Sequence, residues 1–174
     1  MRYLFIALLC LPFAAQAEWT DVETTDNLSA YYVSTDSERF TNSELIIMAY
    51  PNDECKLYLG NMFRADGTST GERQSAVRFR VDTNPVIYET AKQTRSTYDE
   101  TSVLVFYVVQ LSERFTRQIV TGNRVLFDDN ESDDSLKTDS FSLIGSSAAI
   151  SKVVTACQNH DDWSSTPTDD EWSM

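Results

Sequence analysis

Short segments that alternate apolar and polar residues dominate the chain from Ser29 to Thr90. They are SAYYVST, ELIIMAY, KLYLGNMF, AVRFRVD and VIYET, and the intervening stretches NDE, ADGTSTGE and TNP are rich in turn-forming residues. Successive side chains of a β-strand point to opposite faces, so alternation marks a strand with one buried face. The pattern therefore predicts a run of antiparallel strands, and Pro85 should separate the last two because it cannot donate to a strand ladder.

The continuous apolar run SVLVFYVVQ, residues 102–110, follows these segments. A run of this kind predicts a central strand buried on both faces. Farther along, RVLF and FSLIG are short strand candidates on either side of an acidic loop. The sheet is thus expected to continue beyond the central strand.

Two segments carry helical patterns. Residues 112–120 begin with Ser112, a good N-cap, and are followed by Thr121-Gly122-Asn123, which can end a helix. In SSAAISKVVTACQ, either Ser146 or Ser147 can cap, and apolar residues up to Cys157 recur on one face. We therefore expect one α+β domain over residues 18–160, an antiparallel sheet or small β-sandwich with the C-terminal helix packed on it.

The first 17 residues form a pattern typical of export. Arg2 is followed by a short apolar centre and by Ala15-Gln16-Ala17, a small-residue cleavage motif. The sequence predicts a signal peptide over residues 1–17, cleavage near Ala17 and a periplasmic or secreted mature protein without a membrane-inserted segment. The alternative, lipidation at Cys10, is disfavoured because Ala7-Leu8-Leu9 does not supply the usual small residues.

After removal of the leader, the remaining cysteines are Cys55 and Cys157. An oxidising compartment and the lack of Cys/His spacing suited to zinc favour a disulfide over a metal pair or a nucleophile. The predicted structural bridge would bring the segment around Cys55 beside the C-terminal helix.

Acidic residues strongly outnumber basic ones. Losing Arg2 with the leader takes the formal net charge from -13 to -14, which argues against nucleic acid and anionic lipid as partners. Another envelope protein, a basic one in particular, or a cation fits this charge better, although the charge can also serve solubility alone. Residues 161–174 predict an acidic disordered tail, in which Trp163 and Trp172 are candidate partner-binding residues.

Catalytic and metal motifs are sparse. His160 is the only histidine, and no P-loop, dinucleotide fingerprint or HExxH motif occurs, so we expect a non-enzymatic protein without a cofactor; paired carboxylates leave a cell-wall enzyme as an alternative. The acidic loop offers oxygen ligands for calcium, but charge runs of this kind are more often solvated loops, and that interpretation is favoured. These calcium candidates are Asp128, Asn130, Ser132 and Asp134.

The stretch VRFRVD contains the most distinctive charged row. In a strand, Val77, Phe79 and Val81 would enter the core and place Arg78, Arg80 and Asp82 together on the other face. The row is a candidate partner-binding surface, because guanidinium groups bind carboxylates and phosphates in a forked geometry. The alternative is that the arginines pair with acids on neighbouring strands.

The order of several motifs resembles that of the type VI secretion-associated periplasmic proteins called TagO or VasI. Trp19 follows the leader, Leu45-Ile46-Ile47 and Cys55 come next, and Arg80-Val81-Asp82 matches the Arg-x-Asp strand of that family. The segment from Phe141 to Ile150 is similar to its Phe-x-Leu-x-Gly turn, and the helix after it ends at Cys157. The resemblance covers nearly all of the mature chain before the tail.

The resemblance implies an accessory or binding function. Together with the leader and the absence of a catalytic apparatus, it gives a first hypothesis: an exported, non-enzymatic protein that binds another envelope protein, with a type VI secretion apparatus as the narrower form. A second hypothesis, of another class, rests on the acidic charge. It is an acidic inhibitor of a cationic envelope hydrolase such as a lysozyme, in which charge complementarity would speed encounter. The sequence leaves the partner and the oligomeric state open.

Overall fold

The computed structural model describes residues 18–25, 29–129 and 138–160, which form one antiparallel sheet and two helices. The strands are β1 (Glu23–Thr24), β2 (Tyr31–Asp36), β3 (Ser43–Ala49), β4 (Leu57–Asp66), β5 (Gly71–Val81), β6 (Ile87–Thr97), β7 (Ser102–Gln110), β8 (Arg124–Asp128) and β9 (Asp139–Ser142). The helices are α1 (Glu113–Thr121) and α2 (Ser146–Gln158), with a short 3-10 helix at Pro51–Asp53. The predicted α+β class is confirmed, as one sheet rather than a two-sheet sandwich.

The nine strands follow the order β1-β2-β3-β4-β7-β6-β5-β8-β9, and all neighbours are antiparallel. Ser37, just after β2, forms an isolated bridge with Phe141 of β9. The N–H of Glu38 also donates to the carbonyl of Ser140 at 2.8 Å. The sheet therefore curls until β2 and β9 meet, which gives it an inner and an outer face.

The core lies on the inner face, where alternate residues from the strands are buried. As predicted for VRFRVD, the side chains of Val77, Phe79 and Val81 are at most 2% exposed. Phe115 of α1 packs against Phe79, with ring centroids 5.2 Å apart, and α2 packs against β2, β3 and α1. The helices thus fill the end of the interior at which β5 ends.

Two local expectations were wrong. The inner residues of β7 are buried, but its outer residues Leu104, Phe106 and Val108 are only half-buried, because both helices pack into the interior. The N-cap of α2 is Gly145, with φ of 89°, rather than Ser146 or Ser147. Instead, the Ser146 hydroxyl donates to the carbonyl of Ile119 at 2.8 Å and ties α2 to α1.

The predicted disulfide between Cys55 and Cys157 is present, with a Cα–Cα distance of 5.9 Å. Cys55 lies in the turn before β4, not within a strand, and Cys157 lies in the last turn of α2. The bridge therefore fastens the C-terminal helix to the sheet. Neither helix in the described ranges has the length and apolar character to cross a membrane.

Candidate binding surfaces

Arg78 and Arg80 lie on the outer face of β5, as the alternation predicts. Arg78 stands directly opposite Tyr88 of β6 on one side and Asp128 of β8 on the other. Its guanidinium forms an ion pair with the Asp128 carboxylate. One of the two arginines is therefore already neutralised by a neighbouring strand.

Asp82 does not continue the row. It follows the end of β5 with φ of 48°, in the left-handed region. Its carboxylate accepts hydrogen bonds from the backbone N–H groups of Asn123 and Arg124 at 3.0 to 3.3 Å. The prediction that all three charges share one strand face was thus wrong for Asp82, which organises a turn.

An aromatic side chain, rather than Asp82, accompanies the two arginines on this surface. Tyr88 is 72% exposed and Val86, just before β6, is 41% exposed. Tyr88 stands directly opposite the partly exposed Arg78, and the exposed Arg80 and Val86 lie just beyond the last paired residues, Phe79 and Ile87. We call Arg78, Arg80, Val86 and Tyr88 the outer patch; it is held on two paired strands of eleven residues each.

A second feature opens at the end of the interior opposite the helices. It is a cleft of about 700 Å³, and we call it the polar cleft. Asn61 of β4, Tyr107 of β7 and Gln93 of β6 stand side by side on its inner wall, since Asn61 pairs with Tyr107 and Tyr107 with Gln93 in the sheet register. Each is only 1% exposed.

Hydrogen bonds tie most polar groups of the cleft together. The Gln93 side-chain amide donates to the Tyr107 hydroxyl and accepts from Arg73, and the Tyr107 hydroxyl donates to Asp129 at 3.3 Å. Close to Asn61, with which it shares the partner Ser43, the buried Asp139 carboxylate accepts from the hydroxyls of Ser37 and Ser43 and from the Ser140 N–H. Buried polar groups normally find such partners.

Two buried polar atoms in the residues that line the cleft have no hydrogen-bond partner. Asn61 donates its Nδ2 hydrogens to Ser43 Oγ and to the Glu44 carbonyl, both at 3.2 Å, but its Oδ1 accepts none. The Nε of Arg95, one step nearer the rim on β6, also has no partner. Two residues that line the cleft thus carry one unmatched acceptor and one unmatched donor, both buried.

The structure describes only one of the other predicted partner-binding and calcium-binding residues. Asp128 is the one calcium candidate within the described ranges, and it pairs with Arg78; Asn130, Ser132 and Asp134, like Trp163 and Trp172, lie outside the described residues. Among the residues described, no group of three or more His, Cys, Asp or Glu side chains is placed to hold a metal ion.

Sequence reasoning missed the polar cleft. Asn61 and Gln93 occupy the same alternation phase as the buried Leu59 and Ala91, so a polar residue in an inward position was a signal available in the pattern.

Comparison of the chain with protein-family models, curated proteins and solved structures found no match. The likeness to the TagO or VasI family therefore stays a prediction.

Proposed function

We propose that this chain is an exported, non-enzymatic accessory protein that docks onto another cell-envelope protein through the outer patch. The observation that carries the proposal is the position of Tyr88, 72% exposed on the outer face and directly opposite Arg78. Tyrosine and arginine are enriched at the energetic centres of protein interfaces. A tyrosine presented by paired strands also loses little conformational entropy on binding.

The patch also suggests what the partner presents. Arg80 is exposed, and Arg78 is paired with Asp128, whose side chain is 21% exposed. A partner carboxylate beside an apolar contact for Tyr88 and Val86 would complement this surface. An accessory role in a type VI secretion apparatus is the narrower form of the proposal, and it rests on the resemblance of the motifs.

Affinity capture from envelope extract tests the proposal. The bait is the chain from residue 18 onward, beside a patch variant, Arg80→Glu with Tyr88→Ala, and a matched control, Lys56→Glu with Tyr98→Ala. Tyr98 is 59% exposed and Lys56 is exposed at the start of β4, so the control makes similar changes outside the patch.

One envelope protein recovered with the wild type and the control, but not with the patch variant, would support the proposal. Equal recovery with all three baits would show that the patch does not bind, and no specific recovery would contradict the binding function itself. The identity of the captured protein tests the secretion role.

The net charge favours one second candidate, an inhibitor of a cationic envelope hydrolase. With a formal charge of -13 for the full chain, encounter with such an enzyme would be fast at low ionic strength and would slow as salt screens the charges. An unchanged rate of cell-wall lysis by a lysozyme, with excess mature protein at low salt, would contradict this candidate.

A further inference from the structure

We infer that the polar cleft is a binding site for a neutral oligosaccharide, separate from the outer patch. Strand positions that face the interior are mostly apolar in this protein, yet Asn61, Gln93 and Asp139 occupy such positions and are at most 5% exposed. Burying polar groups costs free energy unless they gain partners. A cleft that retains them at this cost is typical of a site that orients a ligand.

The two unmatched atoms define the hydrogen bonds that the ligand supplies. Asn61 Oδ1 accepts and therefore needs an O–H or N–H donor, whereas Arg95 Nε donates and needs a lone pair. A sugar hydroxyl provides both functions in one group. A single ligand with hydroxyls at two places satisfies both atoms.

The charges of the cleft select against anions. The carboxylates of Asp66, Asp129 and Asp139 line it beside the guanidinium groups of Arg64 and Arg95. Arg64 is already engaged by Asp99. An anionic glycan or a phosphate would meet a surplus of negative charge, so a neutral ligand is favoured.

The dimensions indicate more than one sugar unit. Asn61 and Arg95 lie on strands separated only by β7, and Arg95 is two residues farther along the sheet than the register partner of Asn61. At the usual strand spacing and rise this places their backbones roughly 11 to 12 Å apart. This span exceeds a single pyranose ring and suits a disaccharide. The volume of about 700 Å³ lies well within the range of known ligand sites.

The ring of Phe63, which lines the cleft and is half-buried, supplies the apolar contact that sugar rings require. The rings of Phe63 and Tyr107 are stacked on the inner wall, with centroids 6.0 Å apart and planes inclined by 23°. The C–H faces of a pyranose pack on such surfaces. An extended peptide fits less well, because the inner wall here is made of strands already paired on both sides and offers it no free strand edge.

Calorimetric titration of the mature protein tests the inference. The probes are cellobiose, maltotriose and diacetylchitobiose, beside oligogalacturonate as an anionic glycan and trialanine as a peptide. We expect a neutral sugar to bind within the concentration range up to millimolar. Arg95→Leu should weaken this binding about 10-fold or more, because it removes a charged donor. Asn61→Leu should also weaken it, and its thermal unfolding would show whether it folds.

Arg80→Leu, on the outer patch, serves as the matched control and should bind the sugar as the wild type does. No binding of any neutral sugar, preference for the peptide or the anionic glycan, or unchanged affinity in Arg95→Leu would each overturn the inference. Because the titration uses purified protein, its result is independent of the capture experiment. A failed capture with intact sugar binding, or the reverse, would tell the two proposals apart.

Discussion

Asp82 and Arg124 are joined by reciprocal hydrogen bonds. The N–H of Asp82 donates to the Arg124 carbonyl at 2.9 Å, and the N–H of Arg124 donates to Asp82 Oδ1 at 3.0 Å. The same carboxylate accepts from the N–H of Asn123. A single side chain thus fixes the end of β5 against the segment that connects α1 to β8.

Replacing Asp82 is therefore expected to loosen this junction. Asp82→Ala removes acceptors from two backbone N–H groups and places alanine at φ of 48°, where Asp and Asn are better tolerated. We expect a loss of about 1 to 3 kcal/mol in the free energy of unfolding. Asp82→Asn keeps an acceptor and should lose less, and urea denaturation of the two variants beside the wild type measures the difference. Equal stability of alanine and asparagine variants would contradict this role.

The motif residues behind the family resemblance have structural roles. Trp19 Nε1 donates to the carbonyl of Ile144 at 3.0 Å, and a Cβ on Gly145 would lie 3.3 Å from the Trp19 ring. Cys55 and Cys157 are bonded, and Asp82 holds a turn. The roles that the structure shows for these residues are architectural, which explains why the motifs carry information about the fold.

Features that depend on contacts between distant segments were not predicted from the sequence. Alternation predicted the strands, but their lengths were underestimated: β5 begins at Gly71 and β6 runs to Thr97, through the polar stretch AKQTRST. That stretch is stabilised by pairing with β5 and β7 on both sides, which a local pattern does not contain. The closure between Ser37 and Phe141 is equally non-local, and beside it Asp139 of β9 contacts Ser37 and Ser43 at the polar cleft.

The disulfide should contribute strongly to stability. It joins residues 102 positions apart, and a loop of roughly 100 residues corresponds to up to about 4.7 kcal/mol in the chain-entropy model. A Cys55→Ser, Cys157→Ser variant is expected to lose about 2 to 5 kcal/mol in the free energy of unfolding. Wild-type protein under reducing conditions is the control and should approach the variant. A variant as stable as the oxidised wild type would contradict the expectation.

The lowered pKa of Asp99 predicts that the protein loses stability at acid pH. The Thr101 backbone N–H, the Ser102 side chain and the nearby Arg64 guanidinium lower the pKa of Asp99 to about 2. Since its folded pKa lies below the ordinary value of 3.8, the carboxylate stabilises the fold above that value, and this contribution is lost as the pH falls toward 2.

NMR titration of the Asp99 carboxyl should give a midpoint near 2. The stability of Asp99→Asn should approach that of the wild type as the pH is lowered across this window, while Glu100→Gln, in the same turn, serves as the control. A midpoint at or above 3.8 would contradict the assigned contacts.

Gly122, the C-cap of α1, marks a close approach between the end of this helix and the sheet. A Cβ at this position would lie 2.3 Å from Val81 Cγ1 and 2.8 Å from the Gln118 carbonyl oxygen. Any residue can adopt the φ of -81° found at Gly122, so Gly122→Ala tests only whether there is space for a methyl group. Because the neighbours are a buried valine and backbone, they cannot move aside, and we expect a loss of about 1 to 3 kcal/mol in the free energy of unfolding.

Gly60→Ala is the matched comparison for that variant. A Cβ there would lie 2.6 Å from the Phe106 ring, but this ring is half-buried on the outer face and can rotate toward solvent. Gly60→Ala should therefore destabilise less than Gly122→Ala in the same urea denaturation experiment. The opposite order would show that α1 can shift away from β5 more easily than the outer face can rearrange.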